Sequence, residues 1–228
     1  MRKYFVLVGL TLLTAGSALA QEFPKVETSP AFMYIRNTPN LSNEFEIQNP
    51  IAGDPPIFIT GSNSFNCLGG GGTIAINLTS MFGIASDLGG CKFSNNNLAV
   101  GTKANGSQFT YLFGPRLTFR NASPFRPFFE LNLGGDRLAV TCKSSSTACV
   151  NATGGNTYSK NAFAMTVGGG FDIQINKKFS LRPIQAEYLY TRFGNQCALA
   201  VCNNNNNQNS FRLKSGIVIA WGGSASSH

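Results

Sequence analysis

The stretch Phe211-Arg-Leu-Lys-Ser-Gly-Ile-Val-Ile-Ala-Trp221 decides the fold. Its apolar residues occupy alternate positions: Phe211, Leu213, Ile217, Ile219 and Trp221. Arg212 and Lys214 fall on the opposite face. A period of two indicates a β-strand, so this segment predicts a strand with one face toward apolar surroundings and the other toward a polar interior.

The same alternation recurs along the chain, and no segment shows a convincing helical period. The predicted strands are roughly residues 25–36, 72–79, 81–90, 108–119, 128–140, 162–173, 181–193 and 211–221. Aromatic residues concentrate on the apolar faces: Phe109, Tyr111, Phe113, Phe119, Phe129, Phe171, Tyr188, Tyr190 and Trp221. A soluble sandwich or lipocalin-like barrel is the alternative, but the opposite faces carry small and charged residues, so a soluble core would leave a broad aromatic exterior or bury many charges. We therefore expect the apolar faces to contact lipid.

The connections between the predicted strands alternate in length. Short turns fall at residues 79–80, 120–127 and 176–178, whereas long polar segments fall at residues 37–66, 90–107, 141–159 and 194–210. Short periplasmic turns and long external loops are typical of outer-membrane barrels. The sequence predicts an all-β fold, an eight-stranded antiparallel up-and-down transmembrane β-barrel with four long external loops.

The N-terminus carries an export signal. Arg2 and Lys3 precede a short apolar run, residues 4–15, that ends in Ser17-Ala-Leu-Ala20. This pattern predicts a secretory signal peptide over residues 1–20. The run is too short for a spanning helix, and no later segment offers the roughly 18 apolar residues that such a helix needs. We expect residues 21–222 to form the barrel in the bacterial outer membrane and residues 223–228 to form a short tail.

Removal of residues 1–20 would take away two basic residues and lower the net charge from +8 to +6. This is a modest excess without clustered basic runs, so nucleic acid is not an expected partner. The excess favours contact with anionic lipopolysaccharide.

Six cysteines in an exported chain predict disulfide bonds. Two pairs, Cys142–Cys149 and Cys197–Cys202, each lie within one polar stretch, and Cys67–Cys91 flanks a predicted hairpin. We expect three local bridges. A metal site is the alternative, but no histidine stands near the cysteines and no CxxC occurs, so neither a metal nor another cofactor is predicted.

Charged residues on the polar faces point into the predicted barrel. They are Glu27, Asp87, Arg116, Glu130, Asp136, Asp172, Glu187, Arg212 and Lys214. Side chains nearly fill an eight-stranded barrel, where an unpaired charge is costly. A turn centred near Ser123 brings Arg116 opposite Glu130, and an outer loop centred near residues 200–201 brings Glu187 opposite Lys214. Two interpretations stay open for these ion pairs: a structural polar core, or a gate for a small ion pathway.

Segments in the second half of the chain carry a family resemblance. They are residues 109–116, 162–172, 180–188 with Arg192-Phe193, and 211–221. They resemble the small outer-membrane β-barrel family of Gram-negative bacteria, related to the transmembrane domain of outer-membrane protein A and to opacity-type surface proteins, and especially its uncharacterised acidobacterial members. The resemblance implies a fold and a location but little function.

Lys214, Gly216, Ile219 and Trp221 also resemble the C-terminal signal by which outer-membrane barrels are recognised for insertion. This resemblance implies the barrel-insertion machinery as a partner. Because the sequence ends soon after Trp221, we do not expect a peptidoglycan-binding domain after the barrel.

The expected role is non-enzymatic: a structural or surface-interaction protein whose loops, above all residues 37–66, contact lipopolysaccharide, neighbouring proteins or a surface ligand. A small porin-like channel gated by lumenal ion pairs is the alternative. Catalysis is not expected, because the one histidine is His228 and because Glu130 and Glu187 have basic neighbours that favour a structural role.

Overall fold

The computed structural model describes residues 23–39, 45–47, 57–59, 64–99, 102–142, 157–192, 196–198, 201–203 and 207–222. The predicted signal peptide and the tail at residues 223–228 lie outside these residues. Among the residues described, no helix has the length and apolarity that a membrane crossing requires.

The described residues form β-strands joined by tight turns. The strands are β1 (Val26–Pro39), β2 (Phe45–Ile47), β3 (Ile57–Ile59), β4 (Phe65–Asn77), β5 (Phe82–Ala99), β6 (Thr102–Thr118), β7 (Phe125–Cys142), β8 (Thr157–Gln174), β9 (Phe179–Arg192), β10 (Gln196–Ala198), β11 (Val201–Asn203) and β12 (Asn207–Trp221).

Eight of these strands close into one antiparallel barrel, in the order β1-β12-β9-β8-β7-β6-β5-β4. Closure comes from β1, where Val26 pairs with Trp221 of β12 on one side and with Ile76 of β4 on the other. A closed sheet leaves no unpaired edge, as a strand in lipid requires. The predicted eight-stranded antiparallel barrel is confirmed. Two small hairpins, β2–β3 and β10–β11, lie within the long connections.

Several strands run well beyond their predicted ends. The prediction that residues 90–107 form a loop is wrong, because β5 continues to Ala99 and β6 begins at Thr102. Apart from the buried Cys91 and Phe93, the residues there are mostly polar, so the alternation signal is lost while the backbone pairing continues. The start of β4 was also placed too late, because glycines at residues 69–72 carry no side-chain pattern.

Burial alternates along the barrel strands as the sequence predicts. Aromatic and aliphatic side chains of the predicted lipid face are exposed or half-exposed, and Phe113 is 60% exposed. Their neighbours Leu112 and Gly114 are buried inside. Apolar residues therefore cover the outer wall, where lipid replaces water as solvent.

One irregularity changes the inward face of β9. Pro183 and Ile184 together oppose a single residue, Ser215 of β12, because the register shifts between Lys214 and Gly216. Such a bulge leaves one residue unpaired, and proline is tolerated there because it has no amide hydrogen to donate. Beyond the bulge, the inward positions of β9 change parity, so that Arg182 points into the lumen.

Candidate functional site

The candidate site is the barrel lumen, and a line of paired residues organises its charges. This line winds around the wall through Arg212 (β12), Glu187 (β9), Gly168 (β8), Glu130 (β7) and Arg116 (β6). A Cβ at Gly168 would lie 2.2 Å from the carbonyl oxygen of Ala186 and 2.9 Å from Cγ of Glu187. Glycine therefore gives β9 and its carboxylate the room they occupy.

Two arginines enclose an aromatic ring in the half of the lumen near the short turns. The guanidinium carbons of Arg116 and Arg182 lie 4.3 Å and 4.2 Å from the ring centroid of Phe128. A guanidinium this close to a ring face is attracted by its quadrupole, and the attraction grows when water is excluded. Phe128 is 4% exposed, so the stack is a buried unit.

Asp172 joins the two arginines. Arg182 donates from Nε to Oδ1 at 2.7 Å and from Nη2 to Oδ2 at 3.0 Å, and Arg116 donates from Nη2 to the same Oδ2 at 3.2 Å. Arg116 also lies 3.6 Å from Glu130 and 3.7 Å from Glu27. Each positive charge thus has at least one carboxylate partner, which offsets the cost of removing it from water.

A second ionic cluster crosses the barrel from β12 and β9 to β5. Arg212 donates from Nε to Oε2 of Glu187 at 2.6 Å, and its Nη2 lies 3.0 Å from Oδ1 of Asp87. Lys214 donates to Asp87 and lies 3.4 Å from Glu187. Both carboxylates are therefore shared by both cations. Thr73 adds a hydrogen bond to Asp87 at 3.0 Å.

Gln185 connects the two clusters. Its amide nitrogen donates to Glu130 at 3.2 Å and to Glu187 at 2.9 Å, and its amide oxygen accepts from Arg182 at 3.0 Å. The ionic groups consequently form one continuous network along the lumen.

Asp136 has a different environment from the other lumenal carboxylates. It accepts hydrogen bonds from Gln108 at 2.6 Å and from Thr191 at 3.1 Å, and Gln108 in turn accepts from Asn37 at 3.0 Å. Amide and hydroxyl donors thus solvate its charge. Asn37 also accepts from Ser210 at 2.6 Å, which carries the polar chain to β12.

An apolar cluster with a disulfide bond occupies the lumen toward the long connections. Cys67 of β4 is bonded to Cys91 of β5. The buried side chains packed around them are Met33, Ile35, Phe65, Phe93, Leu112, Ala164 and Leu189. This apolar cluster covers the ionic network on the side of the long connections and excludes water from it.

The lumenal side chains are almost fully buried. Arg116, Arg182 and Glu187 are each 1% exposed and Arg212 is 0% exposed. No group of three or more metal-ligating side chains exists in the part of the chain that the structure describes. The geometry supports mutual charge compensation and leaves little interior surface accessible to water.

The sequence-predicted residues have the following positions. All nine predicted lumenal charges are buried, and the register pairs Arg116 with Glu130. Arg212, rather than Lys214, lies directly opposite Glu187, since the register differs from the expected one by two residues. Arg182 and Phe128 were missed. Of the predicted bridges, Cys67–Cys91 is present, whereas the side chains of Cys142, Cys149, Cys197 and Cys202 lie outside the described set.

The predicted insertion signal lies at the last strand. Lys214 is buried in the lumen, while Trp221 is 53% exposed on the outer wall and donates from Nε1 to the hydroxyl of Thr28 at 3.2 Å. Recognition by insertion machinery stays a prediction.

Fold and lumen together define a small transmembrane β-barrel with a filled interior. Residues 5–216 match the family model described as outer membrane protein beta-barrel domain. The chain belongs to this family and is a protein of the bacterial outer membrane.

Several solved structures are similar to this chain. Neisserial surface protein A is similar over 86% of this chain and 97% of its own, with 14% identity and a TM-score of 0.54. Ail of Yersinia pestis covers 85% of this chain and 99% of its own at 12% identity and a TM-score of 0.46. OprG of Pseudomonas aeruginosa covers 87% of this chain and 96% of its own at 12% identity and a TM-score of 0.46. At these identities the likeness concerns the fold alone. No curated protein matches the sequence significantly, and a particular closeness to acidobacterial members stays a prediction.

Proposed function

We propose that this barrel is a non-enzymatic outer-membrane protein with a structural or surface-interaction role, exerted through its external segments. The observation that carries the proposal is the filled lumen: Arg116, Arg182 and Arg212 are fully buried among carboxylates. A barrel whose interior is occupied by its own side chains offers its outer surface and its external connections for interaction.

The external side is built to support a presented surface. The long strands β5 and β6 stay paired up to Ala99 and Thr102, and the Cys67–Cys91 bond ties β4 to β5 near that side. Binding segments commonly stand on a rigid scaffold of this kind. Residues 48–56, between β2 and β3, belong to the longest predicted loop and are the first segment to test.

The lumenal carboxylates support a non-enzymatic role. Glu130 and Glu187 are each shared with buried cationic or amide groups, and neither is exposed to a substrate. A general acid or base must reach the proton that it transfers. The partners that we propose are outer-membrane lipid, lipopolysaccharide, the barrel-insertion machinery and a surface ligand.

A small channel is the second candidate, and the sharing of charges favours it. Asp87 and Glu187 each contact both Arg212 and Lys214. A lumenal cation could exchange carboxylate partners without losing compensation, which is what a gate made of ion pairs would require.

A deletion strain distinguishes the two candidates. It is complemented with the wild type, with a variant in which residues 48–56 are replaced by a Gly-Ser linker of equal length, or with a control in which residues 121–123 of an opposite-end turn are replaced likewise. Attachment to surfaces and uptake of a small hydrophilic dye are measured. We expect the deletion and the 48–56 variant to lose attachment, while dye uptake and the control stay at wild-type levels. A defect in uptake with normal attachment would replace the proposal by the channel.

A further inference from the structure

Four basic side chains point outward from the barrel wall near its external end. Arg36 of β1, Lys92 of β5, Arg137 of β7 and Arg192 of β9 are all exposed. We call these four residues the basic belt.

The register places every residue of the basic belt at the boundary between apolar and polar wall. Each one has an apolar side chain across from it on one neighbouring strand: Phe211, Leu68, Phe109 and Phe163, respectively. Each has a polar residue on the other neighbouring strand: Asn66, Ser107, Asn161 and Asn207. Four strands distributed around the barrel therefore carry a positive charge at the same kind of position.

Tyrosine hydroxyls mark the same boundary independently. Tyr34, two residues before Arg36, donates to Asn66 at 2.9 Å, and Tyr188 donates to Asn209 at 2.6 Å. Both rings lie on the outer wall with their hydroxyl groups directed toward polar residues. Aromatic side chains of this kind form the belt at the level of the lipid headgroups. The basic belt thus lies at headgroup depth, on the side of the long connections.

The described residues provide no outward counterion for the basic belt. Every acidic side chain that the structure describes is buried in the lumen: Glu27, Asp87, Glu130, Asp136, Asp172 and Glu187. Lumenal cations already engage nearly all of these carboxylates. An anion in the surrounding membrane would complement the positive charge of the basic belt.

We propose that the basic belt binds the phosphate groups of lipopolysaccharide in the outer leaflet. Guanidinium groups form bidentate hydrogen bonds with phosphate, and lysine adds a point charge. The outer leaflet of this membrane presents such phosphates at headgroup depth on the external side. The site rests on the location of the barrel alone and holds whether the barrel conducts ions or attaches to surfaces.

The test compares two triple variants of the full barrel in phosphatidylcholine nanodiscs. The belt variant carries Arg36→Gln, Lys92→Gln and Arg137→Gln. The matched control carries Lys25→Gln, Lys177→Gln and Lys178→Gln, three exposed lysines at the opposite end of the barrel. Each protein is titrated with fluorescent bisphosphorylated lipopolysaccharide and with its dephosphorylated form, and the thermal unfolding of each is recorded to verify folding.

We expect the belt variant to bind the phosphorylated form about a hundredfold more weakly than the wild type. Each of the three cations removed contributes about fivefold to the affinity for an anionic headgroup surface. The control should stay within about twofold of the wild type, and dephosphorylation should abolish the difference between the two variants. Equal weakening in both variants, or unchanged wild-type binding after dephosphorylation, overturns the proposal. If the belt variant fails to fold, the single variants Arg36→Gln and Arg137→Gln are titrated instead. Each should weaken the binding of the phosphorylated form about fivefold, and unchanged binding in both overturns the proposal.

Discussion

Arg182 donates two parallel hydrogen bonds to Asp172 across the β8–β9 pair, from Nε at 2.7 Å and from Nη2 at 3.0 Å. The contact exists because the bulge at Pro183 turns Arg182 into the lumen. A bidentate arginine–carboxylate pair is strong and geometrically specific. One irregular residue in the outer wall therefore sets a central link of the interior network.

Removing one partner of this pair should destabilise the barrel. We expect Arg182→Met to lower the free energy of unfolding by about 3 kcal/mol, because Asp172 would keep only Arg116 as a partner. Urea unfolding in lipid vesicles, followed by the fluorescence of the single tryptophan Trp221, measures this change. The double variant, Arg182→Met with Asp172→Asn, should be about 2 kcal/mol more stable than the sum of the two single effects predicts, as expected for coupled residues. Strictly additive effects would contradict the assigned pair.

Phe128 should matter through its ring face as well as its volume. Phe128→Leu keeps a large apolar side chain but removes the surface on which Arg116 and Arg182 stack, so we expect a loss of about 2 kcal/mol. The adjacent Phe129 is 45% exposed to lipid, and Phe129→Leu serves as the control with an expected cost below about 1 kcal/mol. Equal costs for the two variants would argue against the stack.

The Cys67–Cys91 bond should stabilise the external half of the barrel. It spans 24 residues of sequence, and the loss of a crosslink of that length costs about 3 kcal/mol. We expect the double replacement by serine to lower unfolding stability by this amount and the reduction of the wild type to have a similar effect. A reductant that leaves the wild-type stability unchanged would refute the role of this bond.

The two remaining bridges are predictions for peptide mapping without reductant. The register of β10 and β11 places Cys197 opposite Cys202, which brings their backbones together. We expect Cys197–Cys202 and Cys142–Cys149 peptides. A peptide that links Cys142 to Cys197 would show that the bridges are not local.

The orientation of the strands was accessible from sequence because lipid and lumen impose opposite demands on alternate residues. Phe109 and Thr110 illustrate this point: the first is exposed and the second is buried, as their polarity alone predicts. The pairing of Arg116 with Glu130 follows from the centre of a short turn. Longer connections give no such centre, which explains why Arg212 rather than Lys214 faces Glu187.

Two features lay outside what simple alternation can reveal. Arg182 has the parity of lipid-facing residues, and only Pro183, a residue that suggests a bulge, could have pointed to the change of face. Met33 and Ile35 share the inward face of β1 with Glu27. In the sequence, these two apolar residues on an otherwise polar face look like an ordinary irregularity in the alternation and do not reveal an apolar end of the lumen. Its recognition requires the neighbouring strands, which bring Cys67, Phe93 and Leu189 to the same cluster.

Planar-bilayer recording tests the central claim, that the barrel's own side chains close its lumen, most directly. The wild type is compared with a triple variant, Phe93→Ala, Phe128→Ala and Arg212→Ala, which shortens large buried side chains at three levels of the lumen while leaving the outer wall unchanged. We predict no discrete conductance for the wild type and measurable steps for the triple variant, which also shows that inserted barrels are detected. Discrete wild-type conductance that changes with Glu130→Gln or Lys214→Met would contradict a closed lumen and favour the gated channel.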